Sequence, residues 1–305
     1  MHLPEYLLKH KRILSLAIAY VVLLLTNLKL LPISNDEGIY LDWAWTATRV
    51  PGHLYDSLLD AKQPFMLWLF GIAETFFHDP LVAGRFVAIL FGTGTLLGIY
   101  KLTKKLTDEK TAYVSAVIYV ITPIFVFYNR QALMEPAIAC IGIWNFYFLL
   151  RVLHKPTTQN AIILGIILGI GFFIKTSALL FFIPTASIML WRAFQTKRRE
   201  LWQSLGIVTV SVVCVDGLLL INPTFWQTFS TNDRYTLTLS ELLHFPITIW
   251  MRNILGTAII GLLFITPLLF LLSIYGLYLL KQRRQTDIFL FLAFFYVLLL
   301  QKYLL

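Results

Sequence analysis

Residues 31–63 read LPISNDEGIYLDWAWTATRVPGHLYDSLLDAKQ, and where this stretch sits decides the fold. It follows the first long apolar run directly and opens with the adjacent carboxylates Asp36 and Glu37. Tyr40, Trp43, Trp45, Asp56, Asp60 and Lys62 come after them. Two neighbouring acids where an apolar run ends place the stretch at the outer mouth of a cavity, provided the rest of the chain lies in a membrane.

Composition meets that condition. Apolar residues make up 58% of the chain and charged residues 13%, and mean hydropathy is +0.74. A soluble domain has roughly 45–50% apolar and 25% charged residues. The net charge of +9 follows from topology, because cytoplasmic loops collect Lys and Arg, and it does not call for nucleic acid. Cys140 and Cys214 each lie inside an apolar run and read as small buried side chains, neither a disulfide nor a metal site. Lys9, Lys11 and Arg12 precede an apolar stretch from Ile13 to Leu25, as in a signal peptide, but no small-residue cleavage site follows. The run reads as an uncleaved first transmembrane helix.

A spanning helix needs about 20 apolar residues. Nine runs meet or approach that length, near 13–31, 85–101, 111–128, 136–153, 160–174, 177–192, 203–221, 254–280 and 286–303. The fold expected is therefore all-α and polytopic, a single membrane-embedded module over residues 1–305. The chain ends within an apolar run, as a fragment would. Pro64 to Phe77 has only fourteen residues and carries Glu74, which suits a juxtamembrane helix. With that run left out and the N-terminus inside, 16 of the 25 basic residues fall on the inner side, including every basic cluster. Ten of the sixteen acids then fall outside. Two outer loops are long, 32–84 and 222–253, and function is expected beneath them. The pairs Gly94/Gly98 and Gly165/Gly169 mark close helix contacts.

Each candidate residue has a bland reading beside a chemical one. Asp36 caps a surface helix, or one of the Asp36–Glu37 pair is a base for a reacting group. Lys62, before the helix start at Pro64, snorkels to water or meets a phosphate as a point charge. Arg85 opens the second span. Glu135 sits in a short outer loop beside Arg130, either as a first-turn acid or as a second carboxylate facing the same cavity as Asp36. Lys175 interrupts apolar sequence and is expected to face a polar cavity or a partner. Asp216 is similar, and Asp233, Arg234 and Tyr235 read as a solvated loop that also suits an anionic or sugar group. The six histidines are scattered, and no P-loop, dinucleotide fingerprint or Ser/His/Asp arrangement appears.

Taken together, Asp36-Glu37-Gly38-Ile39-Tyr40, then Lys62-Gln63-Pro64-Phe65 with Trp68-Leu69, then Arg85, Glu135 and Lys175-Thr176 resemble the GT-C membrane glycosyltransferases. The similar groups are the protein O-mannosyltransferases and the lipid A aminoarabinose transferases. Gln63 stands where that family often has the first proline of its motif, and Glu135 where it often has Asp. The resemblance covers about residues 10–195. It implies transfer of a sugar from a polyprenyl-phosphate carrier to a protein, lipid or glycan acceptor on the extracytoplasmic face of the plasma (inner) membrane. In that reading Asp36, Glu37 and Glu135 are the catalytic carboxylates, with Asp36 first. Lys62, Arg85 and Lys175 bind the donor phosphate. No cofactor is required, and a divalent metal is allowed without being demanded. The other readings are a transporter or lipid flippase using Lys175 and Asp216, and a polysaccharide polymerase or ligase using Arg234 and Arg252.

Overall fold

The computed structural model describes residues 3–229, 243–244, 247–264, 266–282, 288 and 292. Asp233, Arg234, Tyr235 and nearly all of the run at 286–303 lie outside the described residues. What is described contains helices and no strand. In chain order they are α1 (Leu3–Leu25), α2 (Asn35–Arg49), a short 3-10 turn (Asp56–Asp60), α3 (Phe65–Ala73), α4 (Pro80–Leu106), α5 (Glu109–Ile121) and α6 (Pro123–Tyr128). They continue as α7 (Glu135–His154), α8 (Thr158–Ile174), a second 3-10 turn (Thr176–Ala178), α9 (Leu179–Thr196), α10 (Arg199–Leu220), α11 (Pro223–Phe229), α12 (Ile247–Phe264) and α13 (Pro267–Gln282).

Among the described residues, four helices are long and apolar enough to cross a membrane: Pro80–Leu106, Glu135–His154, Thr176–Thr196 and Arg199–Leu220. α8 is apolar but shorter. The nine expected spans change in three places. The first helix covers Leu3–Leu25 and stops short of residue 31, because Asn27 takes a left-handed φ of 51°. The run 111–128 is two helices, since Pro123 forces Thr122 into extended backbone and opens α6. The run 254–280 divides before Pro267, where Thr266 has φ 75°.

The small residues fix the packing. A Cβ on Gly94 would stand 2.8 Å from the Cys140 sulfur and one on Gly98 2.6 Å from Ile143, so α4 lies closely along α7. Gly165 and Gly169 approach Ser211, Val208 and Val215 in the same way, setting α8 against α10. One core, around Leu149, Leu164, Met189 and Val208, joins α7 to α10. A second, around Tyr20, Leu24, Ile89 and Ala116, joins α1, α4 and α5. A third, around Tyr40, Met66, Phe70, Ala83 and Met134, seats α2 and α3 on the N-terminal ends of α4 and α7.

α3 has nine residues, about 14 Å at ~1.5 Å per residue, too short to cross a bilayer. Its seating depends on Gly71, where a Cβ would lie 2.4 Å from Thr48 Cγ2 and 2.5 Å from the Ala44 carbonyl oxygen on α2. An aromatic cluster holds the other flank. Trp68 meets Tyr55 and Phe173 edge-on at 5.4 and 5.2 Å, and its indole N–H donates to the Leu54 carbonyl at 2.8 Å.

Candidate active site

The N-terminus of α2 is built by a capping box. Ser34 is the N-cap, its hydroxyl accepts from the Glu37 N–H, and the Glu37 carboxylate accepts from the Ser34 N–H. The expected cap, Asp36, is not the cap. It stands free in the first turn because the Ser-x-x-Glu pattern begins two residues earlier.

Glu37 and Arg85 form a closed unit, both 0% exposed. Arg85 Nε and Nη2 donate to the two carboxylate oxygens of Glu37 at 2.9 Å each. Nη1 donates to the Leu28 and Leu31 carbonyls at 2.6 and 3.1 Å, and Nη2 also reaches the Pro32 carbonyl at 3.3 Å. All five guanidinium donors are therefore engaged within the protein. Glu37 Oε1 also accepts from the Ala132 N–H at 2.8 Å. Burial opposes ionisation of Glu37, but Arg85 and the two backbone donors outweigh it and hold the carboxyl below its ordinary pKa.

The loop between α6 and α7 is pinned at two further points. Asn129 is buried and its amide donates to the Tyr20 and Tyr119 hydroxyls at 2.8 and 2.7 Å. Arg130 donates to the Thr26 and Asn27 carbonyls at the end of α1. Loop, first helix and α2 thus form one rigid wall.

Against this wall lies a cavity of about 350 Å³ that Asp36 and Glu135 both line, with Asn35, Tyr128 and Gln131. Each acid occupies a helix first turn, where the helix dipole favours negative charge. Asp36 is exposed and has no hydrogen-bond or ion-pair partner among the described residues. Glu135 pairs with Lys175, Nζ to Oε1 at 2.7 Å, both side chains being about one-third to two-fifths exposed, 34% and 43%.

Lys175 is placed by the end of α8. It takes extended backbone, φ −159° and ψ 136°, between α8 and the second 3-10 turn. The next residue, Thr176, accepts from the buried Gln63 amide at 2.7 Å. That bond ties the Lys175 bend to the junction carrying Lys62. Lys62 is half-buried, and its ammonium has no partner among the described residues.

The structure therefore brings Asp36, Glu135 and Lys175 together and joins Lys62 to them through Gln63 and Thr176. Glu37 and Arg85 lie behind the cavity wall, satisfied by each other. Tyr40, Asp60, Gln63, Thr176 and Gln131 were not singled out from sequence as site residues. Tyr40 is one helical turn from Asp36, and burial, with the carboxylates of Asp36, Glu135 and Asp60 around it, holds its phenol above the usual range. The sequence signals for them were the i, i+4 spacing of Asp36 and Tyr40 and the family-like stretches that contain Tyr40, Gln63 and Thr176; Asp60 and Gln131 had none. Asp216 is buried in α10 with Oδ1 unpartnered, and Lys175 pairs with Glu135. No group of three or more potential metal-ligating residues occurs among the described residues.

No curated protein matches the chain. Residues 61–220 match the dolichyl-phosphate-mannose-protein mannosyltransferase family, a span that holds Lys62, Arg85, Glu135 and Lys175 and starts after Asp36 and Glu37. The family acts on a polyprenyl-phosphate-linked sugar, and with the four long apolar helices it makes the protein an integral membrane protein. Since the match spans more than half of the sequence, the chain belongs to the dolichyl-phosphate-mannose-protein mannosyltransferase family.

Proposed function

We propose that the protein is a GT-C glycosyltransferase that moves a hexosyl or pentosyl unit from polyprenyl phosphate to an acceptor on the extracytoplasmic face of the membrane. The observation that carries this reading is the shared cavity. It presents an unpartnered carboxylate, Asp36, beside a second, Glu135, already engaged with a lysine at 2.7 Å.

The chemistry assigns a task to each group. The bond between the anomeric carbon and the phosphate oxygen breaks, and its electron pair leaves with the polyprenyl phosphate. Lys62 and Lys175 stabilise the charge that grows on that oxygen. The acceptor oxygen bonds to the anomeric carbon, and its proton passes to Asp36. Glu135 orients Lys175 and the acceptor. Glu37 and Arg85 are positioning residues, acting through the first turn of α2 that carries Asp36. In this reading no metal is required, because lysines and not carboxylates meet the phosphate.

The helix polarity supports the assigned face. The ends of α4 and α7 that carry Arg85 and Glu135, and the end of α9 that lies next to Lys175, are opposite to the ends next to Lys104, Lys105, Arg151, Arg192 and Lys197. Basic residues gather on the cytoplasmic side, with the N-terminus.

Membranes containing the protein, incubated with a panel of polyprenyl-phosphate sugars, are expected to consume one of them. Asp36→Asn should reduce that rate about 100-fold or more at unchanged expression, the loss of a positioned base. Near-normal turnover would refute the assignment. The buried, unpartnered Oδ1 of Asp216 favours a transporter as the second reading. It requires Asp216→Asn, and not Asp36→Asn, to abolish function.

A further inference from the structure

Gln131 is 6% exposed and lines the cavity, yet its side-chain amide makes no hydrogen bond to any described residue. Its main chain is fixed. The N–H donates to the Tyr128 carbonyl at 3.1 Å, and the carbonyl accepts from the Leu133 N–H at 2.8 Å. The amide therefore opens on the cavity with no partner among the described residues, which leaves both its donor and its acceptor free for a ligand.

The chemistry of the wall narrows the ligand. An amide offers a donor and an acceptor side by side, and its complement must do the same. An ammonium supplies only donors. A phosphate supplies only acceptors and would be repelled by Asp36 and Glu135. Adjacent hydroxyls on a sugar ring supply both, and the two carboxylates and Asn35 suit further hydroxyls. Phe127 and Tyr128 are 48% and 38% exposed and meet edge-on at 5.5 Å, leaving ring faces for the C–H side of a sugar. The volume of about 350 Å³ lies at the small end of ligand sites, which run from ~300 to ~1,000 Å³. It fits a single ring.

Lys62 and Lys175, the phosphate ligands of the proposed transfer, do not line the cavity, and Lys175 stands behind Glu135, so in that reading the donor phosphate sits at the cavity's edge. We propose that this cavity is the acceptor subsite, that the acceptor group is a carbohydrate hydroxyl, and that Gln131 selects it by gripping two neighbouring hydroxyls. The proposal rests on Asp36 and Glu135 being the transfer centre. It names the acceptor class that the family description, with its protein acceptor, does not.

The full chain in lipid nanodiscs is examined by saturation-transfer NMR without donor, against neutral disaccharides and a serine-containing peptide. A disaccharide is expected to show contact, and Gln131→Leu and Tyr128→Ala should each lose it. In transfer assays with polyprenyl-phosphate sugars, Gln131→Leu should raise the KM for that saccharide about tenfold or more, the loss of a hydrogen-bond pair. The proposal is overturned if the peptide shows contact and the disaccharides do not, or if both variants bind saccharide as the wild type does. Saccharide contact that responds to both variants, with no donor consumed, would instead refute the transfer reading and leave the subsite standing.

Discussion

Glu37 and Asp36 are neighbours in sequence and opposites in environment. Glu37 is fully buried against Arg85, whereas Asp36 is exposed to the cavity. Removing one partner of a buried pair leaves the other charge uncompensated, at about 3–5 kcal/mol. Glu37→Ala is therefore expected to lower the thermal midpoint of the solubilised protein sharply, while Asp36→Asn leaves it near the wild-type value. The pH dependence has a definite sign. Because the folded Glu37 titrates below its ordinary value, its stabilisation is complete at neutral pH and is lost as pH falls through the carboxylate range towards the folded pKa. A melting series from pH 7 to pH 3 checks this, and Glu37→Ala should flatten its acid limb. The capping box is written in the sequence, since Ser34 and Glu37 lie three apart, but the acid at Asp36 masks it and was taken as the cap. The bond to Arg85 is not written there, because nothing local encodes a partner 48 residues away. For the same reason Arg85 read as a phosphate ligand until its donors were seen to be taken. Gln131 carried no signal at all, since only the fold seats a loop glutamine in the cavity wall with its amide unused by the described residues.

At the scale of elements, hydrophobic run length located the long helices, and proline set where they break. The division at Pro123 was passed over because the residues on both sides are apolar, and only the backbone geometry of Thr122 separates them. α3 was legible as too short to span, but its close seating on α2 depends on Gly71, which looks unexceptional in sequence. A methyl there meets the Ala44 carbonyl oxygen, a backbone atom that cannot swing aside. Gly71→Ala should cost about 1–3 kcal/mol by overpacking. Because α3 starts three residues after Lys62, the same variant should raise the KM for the donor. Thermal unfolding and donor titration measure the two effects, and a variant that melts and turns over like the wild type would show that α2 and α3 yield freely.

For the whole molecule, the opposition of acidic and basic helix ends predicts a single orientation. In a background with Cys140 and Cys214 replaced by Ser, Leu54→Cys should react with a membrane-impermeant maleimide on intact cells, and Lys110→Cys only after lysis. Both positions are exposed. The reverse pattern would move the cavity to the other face. The latch around Glu37 also bears on synthesis. Its partners lie 48 and 95 residues downstream, at Arg85 and Ala132. At about 5–20 residues per second, a ribosome takes on the order of 5–20 s to travel from Glu37 to Ala132. Throughout that interval the nascent chain holds an unmatched acid beside its first inserted helix, so chains stalled before Ala132 should be the ones that membrane quality control recognises and degrades.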